Sequence, residues 1–72
     1  MKGNFFYKRI GERIISERKK KGFSQEHLAF ISDIDRTYLA RLEAGKANPS
    51  IKVISKISKK LKISISNLLE GV

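Results

Sequence analysis

The chain has 72 residues, no cysteine, and 16 Lys and Arg against 7 Asp and Glu, for a formal charge of +9 and a pI near 10.2. Those figures exclude a disulfide scaffold and a thiolate metal site, and they fit a reducing cytoplasm. No stretch approaches the roughly 20 apolar residues of a membrane span, so one small domain over residues 1–72 is expected, burying only about 60% of its unfolded surface.

The opening Met1-Lys2-Gly3-Asn4-Phe5-Phe6-Tyr7-Lys8-Arg9 is charged, and no apolar run of signal-peptide length follows it. Phe6, Ile10, Ile14 and Arg18 then recur at i+4, with Ile15 widening the stripe, which predicts a first helix over about residues 5–21. Gly22 stands where a left-handed cap belongs, and Gly11 marks either a weak point or a close contact. Ser24 can cap a second helix carrying Leu28, Ala29 and Ile31. Ser32-Asp33-Ile34 reads as a turn, with Ile34 returning to the core.

Asp35 caps a third helix, its carboxylate complementing the helix dipole, and Gly45 ends it. At about 100° per residue, Leu39, Leu42 and Glu43 share one side with Tyr38 at its edge, while Arg36, Thr37, Ala40, Arg41 and Ala44 share the other. The outer face is small and hydrogen-bonding at its centre, cationic at its rim, and free of acid. Lys46-Ala47-Asn48-Pro49 forms a loop before Ser50 caps a fourth helix. Ile51, Ile54, Ile57, Ser58 and Leu61 are its expected inner face, with Lys52, Lys56, Lys59, Lys60 and Lys62 outside. Ser64 caps a last short helix with Ile65, Leu68 and Leu69; Ile63-Ser64-Ile65-Ser66 alternates but is too short and isolated to be a strand. The expected fold class is therefore all-α, a compact five-helix bundle with a helix-turn-helix at about residues 24–44.

So large a positive excess repels itself within a small domain, which makes nucleic acid the leading partner. Lys- and Ile-rich composition is the plain contributor to it. An anionic membrane surface fits less well, because the cationic segments do not share one long amphipathic helix.

Arg18, Gly22-Phe23-Ser24-Gln25, Leu28-Ala29, Asp35 to Leu39, Leu42-Glu43, Gly45, Pro49-Ser50-Ile51 and Leu61, in that order and spacing, resemble the Cro/phage-repressor class of helix-turn-helix domains, the XRE family. The resemblance covers about residues 8–69 and implies a lambda-repressor-like DNA-binding domain whose third helix enters the major groove. Within it, Ile34 to Leu39 with Asn48-Pro49-Ser50 look most like the controller proteins of restriction-modification systems, dimeric regulators of their own operon. Ala40 and Ala47 depart from that subgroup, where serine and arginine are common. A phage-type repressor and an antitoxin are the rivals within the class. A protein-interaction module that kept the fold without DNA binding is the rival outside it.

Base edges are read by hydrogen-bonding side chains, while phosphates position the protein. Arg36 can make a bidentate contact to guanine, or meet a phosphate or solvent. Thr37 suits a thymine edge or a phosphate; Ala40 permits close approach or is simply a good helix former; Arg41 reaches base or backbone. Tyr38 can pack on the domain with its hydroxyl toward a phosphate. Ser24 and Gln25 at the start of the second helix, with Lys46, Asn48, Ser50 and Lys52 after the third, are backbone or mixed candidates; capping and solubility are their plain alternatives. The resemblance makes Arg18 and Glu43 a partly buried structural pair.

Dimer contacts are expected from Ile65, Leu68 and Leu69 within residues 63–72, with Phe5, Phe6 and Tyr7 as a second possibility. An activator would need a surface for RNA polymerase, for which Glu12, Glu17 and Glu26 are the acidic candidates. One histidine, His27, without cysteine cannot build a zinc site. No nucleophile is paired with a base and no glycine-rich phosphate cradle is present. No cofactor and no enzymatic activity are expected.

Overall fold

The computed structural model describes residues 3–72; the charged start at Met1 and Lys2 lies outside them. Five helices follow one another: α1 (Gly3–Lys20), α2 (Gln25–Ser32), α3 (Arg36–Glu43), α4 (Ile51–Leu61) and α5 (Ile65–Leu68). Among the described residues there is no strand, and no helix is long and apolar enough to cross a membrane.

Each helix from α2 onward starts at a side-chain cap. Ser24, Asp35, Ser50 and Ser64 accept the backbone N–H of His27, Tyr38, Val53 and Asn67 at 2.9, 3.2, 3.1 and 3.0 Å. Each cap satisfies a donor that the first helical turn cannot. The helix ends are as regular. Phe23 N–H bonds Arg18 O, Ile34 N–H bonds Ala29 O, and Ile63 N–H bonds Ser58 O, at 3.1, 3.0 and 3.1 Å. These are Schellman-type closures, and the left-handed residues within them are Gly22, Asp33 and Lys62.

Every helix contributes to one core: Ile10 and Ile14, Leu28 and Ala29, Leu39 and Leu42, Ile54, Ile57 and Leu61, and Leu68. Burial of each large side chain contributes about 1.5–3 kcal/mol. α1 lies so close to the end of α3 that a Cβ on Gly11 would stand 2.5 Å from Leu42 O and 2.6 Å from Glu43 O. Gly11 is thus a contact glycine, the second of the two readings its place in the helix allowed.

Several expected positions need correction. Ile51 does not face inward: it is 70% exposed. It occupies the first turn of α4, about 70° from the centre of the buried stripe at about 100° per residue. Phe6 heads the α1 stripe in sequence but is 50% exposed, one turn before the helix meets the core. Ser32 closes α2 rather than opening the turn.

Candidate nucleic-acid interface

α3 is placed by a buried polar network at its far end. Arg18 donates from Nε to Glu43 Oε2 at 2.8 Å, from Nη2 to Glu43 Oε1 at 3.0 Å, and from Nη1 to Phe23 O at 3.0 Å. Gln25 Nε2 donates to Glu43 Oε1 at 3.0 Å. The Glu43 side chain is only 4% accessible, yet its carboxylate accepts from donors on both α1 and α2. One carboxylate therefore ties three helices together, and the start of α2 is set against the end of α3. A buried charge is tolerable when its lone pairs are filled in this way.

The outward face of α3 follows from that anchoring. Leu39, Leu42 and Glu43 are buried, Tyr38 and Ala40 are half-buried, and Arg36, Thr37 and Arg41 are exposed. Tyr38 packs its ring against the core cluster. Arg41 Nη2 donates to Lys46 O at 2.8 Å, so this guanidinium holds the loop after α3 while the residue stays exposed. Lys46, Asn48, Ser50 and Lys52 are all exposed on that loop and the opening of α4. The hydroxyl oxygens of Ser24 and Ser50 are engaged as caps, which leaves their O–H groups free to donate.

Along the chain the exposed cations and small hydrogen-bonding groups follow one another in a band of sequence, Arg36, Thr37 and Arg41 on α3, then Lys46, Asn48 and Lys52, with Arg41 bonded to Lys46 O. Asp35 is the acid nearest in sequence, and its carboxylate is engaged with the Tyr38 N–H. Such a band suits a polyanion whose edges offer acceptors and donors.

Three placements differ from expectation. Gln25 is half-buried and its amide nitrogen donates to Glu43 Oε1, a contact with the buried pair that the sequence reading did not include. Leu68 is fully buried in the core of its own chain and has no surface to offer a second copy; Ile65 and Leu69 are half-buried. Glu17 is 8% exposed, not a surface acid. Its Oε2 lies 3.1 Å from Lys20 Nζ and 3.4 Å from Arg13 Nη1, cations one turn after and before it. That i−4/i+3 bracket was the signal available in the sequence.

Arg9 and Arg13 were not singled out from the sequence, and both hold the end of the chain. Arg13 donates to Leu68 O at 3.2 Å and to Asn67 O at 2.8 Å; Arg9 donates to Gly71 O and lies 5.6 Å over the Phe5 ring. They stand one helical turn apart on α1, a spacing too common in basic chains to announce such a role.

Residues 14–68 match the family described as helix-turn-helix. The chain belongs to that family, in its XRE-type branch. This helix-turn-helix chain is 45% identical over 62 residues to the control protein C.BamHI of Bacillus amyloliquefaciens, covering 85% of this chain and 76% of that one. Among solved structures it superposes with a TM-score of 0.84 on the restriction-modification controller protein C.AhdI from Aeromonas hydrophila, at 39% identity over 86% of this chain and 94% of the other. A TM-score of 0.81 relates it to SinR, a master regulator for biofilm formation solved in complex with DNA, at 39% identity over 85% and 98% of the two chains. The chain spans only about half the length of some full-length relatives, 56% in the case of SinR from Bacillus subtilis (strain 168).

Proposed function

We propose that this chain is a sequence-specific regulator of transcription that binds double-stranded DNA as a homodimer, with α3 of each copy in one major groove of a palindromic operator. The observation that carries the reading is the acid-free outward face of α3: Arg36, Thr37 and Arg41 are exposed on a helix whose opposite side is locked into the core. The likeness to SinR, solved with DNA, supports the partner. The likeness to C.BamHI and C.AhdI supports a controller of a restriction-modification operon.

Dimer contacts fall to the half-buried Ile65 and Leu69 with the exposed Phe5 and Phe6, since Leu68 is spent on the core. Two recognition helices about 34 Å apart then meet two half-sites one helical turn apart. Selection of binding sites from random duplexes tests this directly. The expected product is an inverted repeat with half-sites about 10 base pairs apart. Failure to enrich any sequence would overturn the reading and favour a fold kept for protein contacts.

A further inference from the structure

Only five of the 16 basic residues are arginine, and two of those five stand on α1 and reach the far end of the chain. Arg13 donates from Nε to Leu68 O at 3.2 Å and from Nη2 to Asn67 O at 2.8 Å. Arg9, one turn earlier, donates to Gly71 O. Glu17 braces Arg13, its Oε2 lying 3.4 Å from Nη1 and 3.1 Å from Lys20 Nζ. A planar fork can meet two successive carbonyls at once, which the point charge of a lysine cannot. In a chain so rich in lysine, arginine at this place has a geometric reason.

The segment held in this way is weak by itself. α5 is a single turn, Ile65–Leu68, far below the length at which a helix persists alone. Ser64 caps its start, but the carbonyls that end a helix lack helical partners. Among the described residues Leu68 O is met only by Arg13, while Asn67 O also takes the Glu70 N–H at 3.2 Å. Leu68 is the one wholly buried side chain of α5; Ile65 and the following Leu69 are half-buried. Carbonyl bonds from a guanidinium are stronger than those between neutral groups, so the clamp contributes much of what docks this turn.

Arg9 also links two apolar patches. Its guanidinium lies 5.6 Å over the Phe5 ring while it donates to Gly71 O. Phe5, Arg9 and Arg13 recur at i+4 and share one side of α1. The exposed Phe5 and the half-buried Ile65 and Leu69 are thereby stitched together along that helix.

We propose that Arg9 and Arg13 are positioning residues for self-association, holding the C-terminal turn on α1 so that Phe5, Ile65 and Leu69 form one preformed surface. The proposal rests on the homodimer reading above and names the residues that set its strength. A turn that detaches takes its apolar side chains out of that surface. Both copies must be ordered together, so the ordered fraction enters the association constant twice.

The test is sedimentation equilibrium on the full chain as wild type, Arg13→Gln, Arg9→Gln and Arg13→Lys, with hydrogen exchange on samples dilute enough to be monomeric. Each glutamine variant is expected to raise the dimer dissociation constant about tenfold, which a roughly threefold fall in the ordered fraction suffices to give. Amides of Leu68, Leu69 and Glu70 lose protection, while the core amides of α1, α3 and α4 keep theirs. A duplex carrying a single half-site is bound within about twofold of the wild type, since α3 is untouched. Arg13→Lys keeps the charge and loses the fork, so it behaves as Arg13→Gln does. A dimeric wild type whose dissociation constant is unchanged in either glutamine variant overturns the proposal and leaves the homodimer reading standing. Full rescue by Arg13→Lys overturns it in favour of charge alone. Protection lost throughout α1, α3 and α4 makes these arginines supports of the whole fold and overturns it too. A wild type that stays monomeric at every concentration removes the homodimer reading, and this inference with it.

Discussion

A methyl group on Gly11 would meet two backbone oxygens of α3 at 2.5 and 2.6 Å, and backbone cannot turn aside as a side chain can. Alanine gains about 1 kcal/mol in helix propensity over glycine, and overpacking here costs more, about 3 kcal/mol. Gly11→Ala is therefore expected to lower the melting temperature by several degrees; equal or higher stability in thermal denaturation would contradict the close approach of α1 to α3. Gly45 is tied twice, by a φ of +76° and by Lys8 Cα at 2.7 Å from its would-be Cβ. The buried pair is the third fixed point. Arg18→Ala leaves the Glu43 carboxylate with Gln25 alone and should cost about 3–5 kcal/mol in urea unfolding. In the sequence, each of Arg18 and Glu43 falls on an apolar side of its helix, and the family resemblance is what implied that the two form a pair. Gln25 carried no such signal, because a single amide on a helix start looks the same whether it faces solvent or a buried carboxylate.

At the scale of helices, the caps made the architecture readable. Ser24, Asp35, Ser50 and Ser64 sit one residue ahead of each apolar period and bind the N–H three residues on, a local geometry that neighbouring helices need not supply. The exposure of Ile51 was not readable in the same way. Ile51 sits at the margin of the buried stripe of α4, where burial depends on whether a neighbouring helix reaches that far. Lys62 shows a local rule broken at modest cost: it closes α4 at φ 59° where glycine is the favoured residue. Lys62→Gly should raise stability by about 0.5–1 kcal/mol; a loss in calorimetry would show the lysine side chain making up for its backbone. On α3, Arg36→Ala should leave the circular dichroism spectrum and melting temperature unchanged and weaken operator binding by about 1–3 kcal/mol. Loss restricted to one base position would mark a base contact, and uniform loss across sequences a phosphate contact.

For the molecule as a whole, a net charge of +9 on a body of 33 × 24 × 21 Å is an electrostatic liability that a polyanion relieves. Binding should weaken with salt, about 10³–10⁵-fold between 50 and 200 mM if the dimer neutralises roughly 6–10 phosphates. That dependence reports charge and not which groove is read. Methylation interference on a selected operator separates them. Guanine N7 methyl groups lie in the major groove and adenine N3 methyl groups in the minor groove. The arrangement of α3 predicts that guanine methylation blocks binding in two patches about one helical turn apart, with adenine N3 methylation between them tolerated. Interference from adenine N3 alone, or from neither, would contradict it.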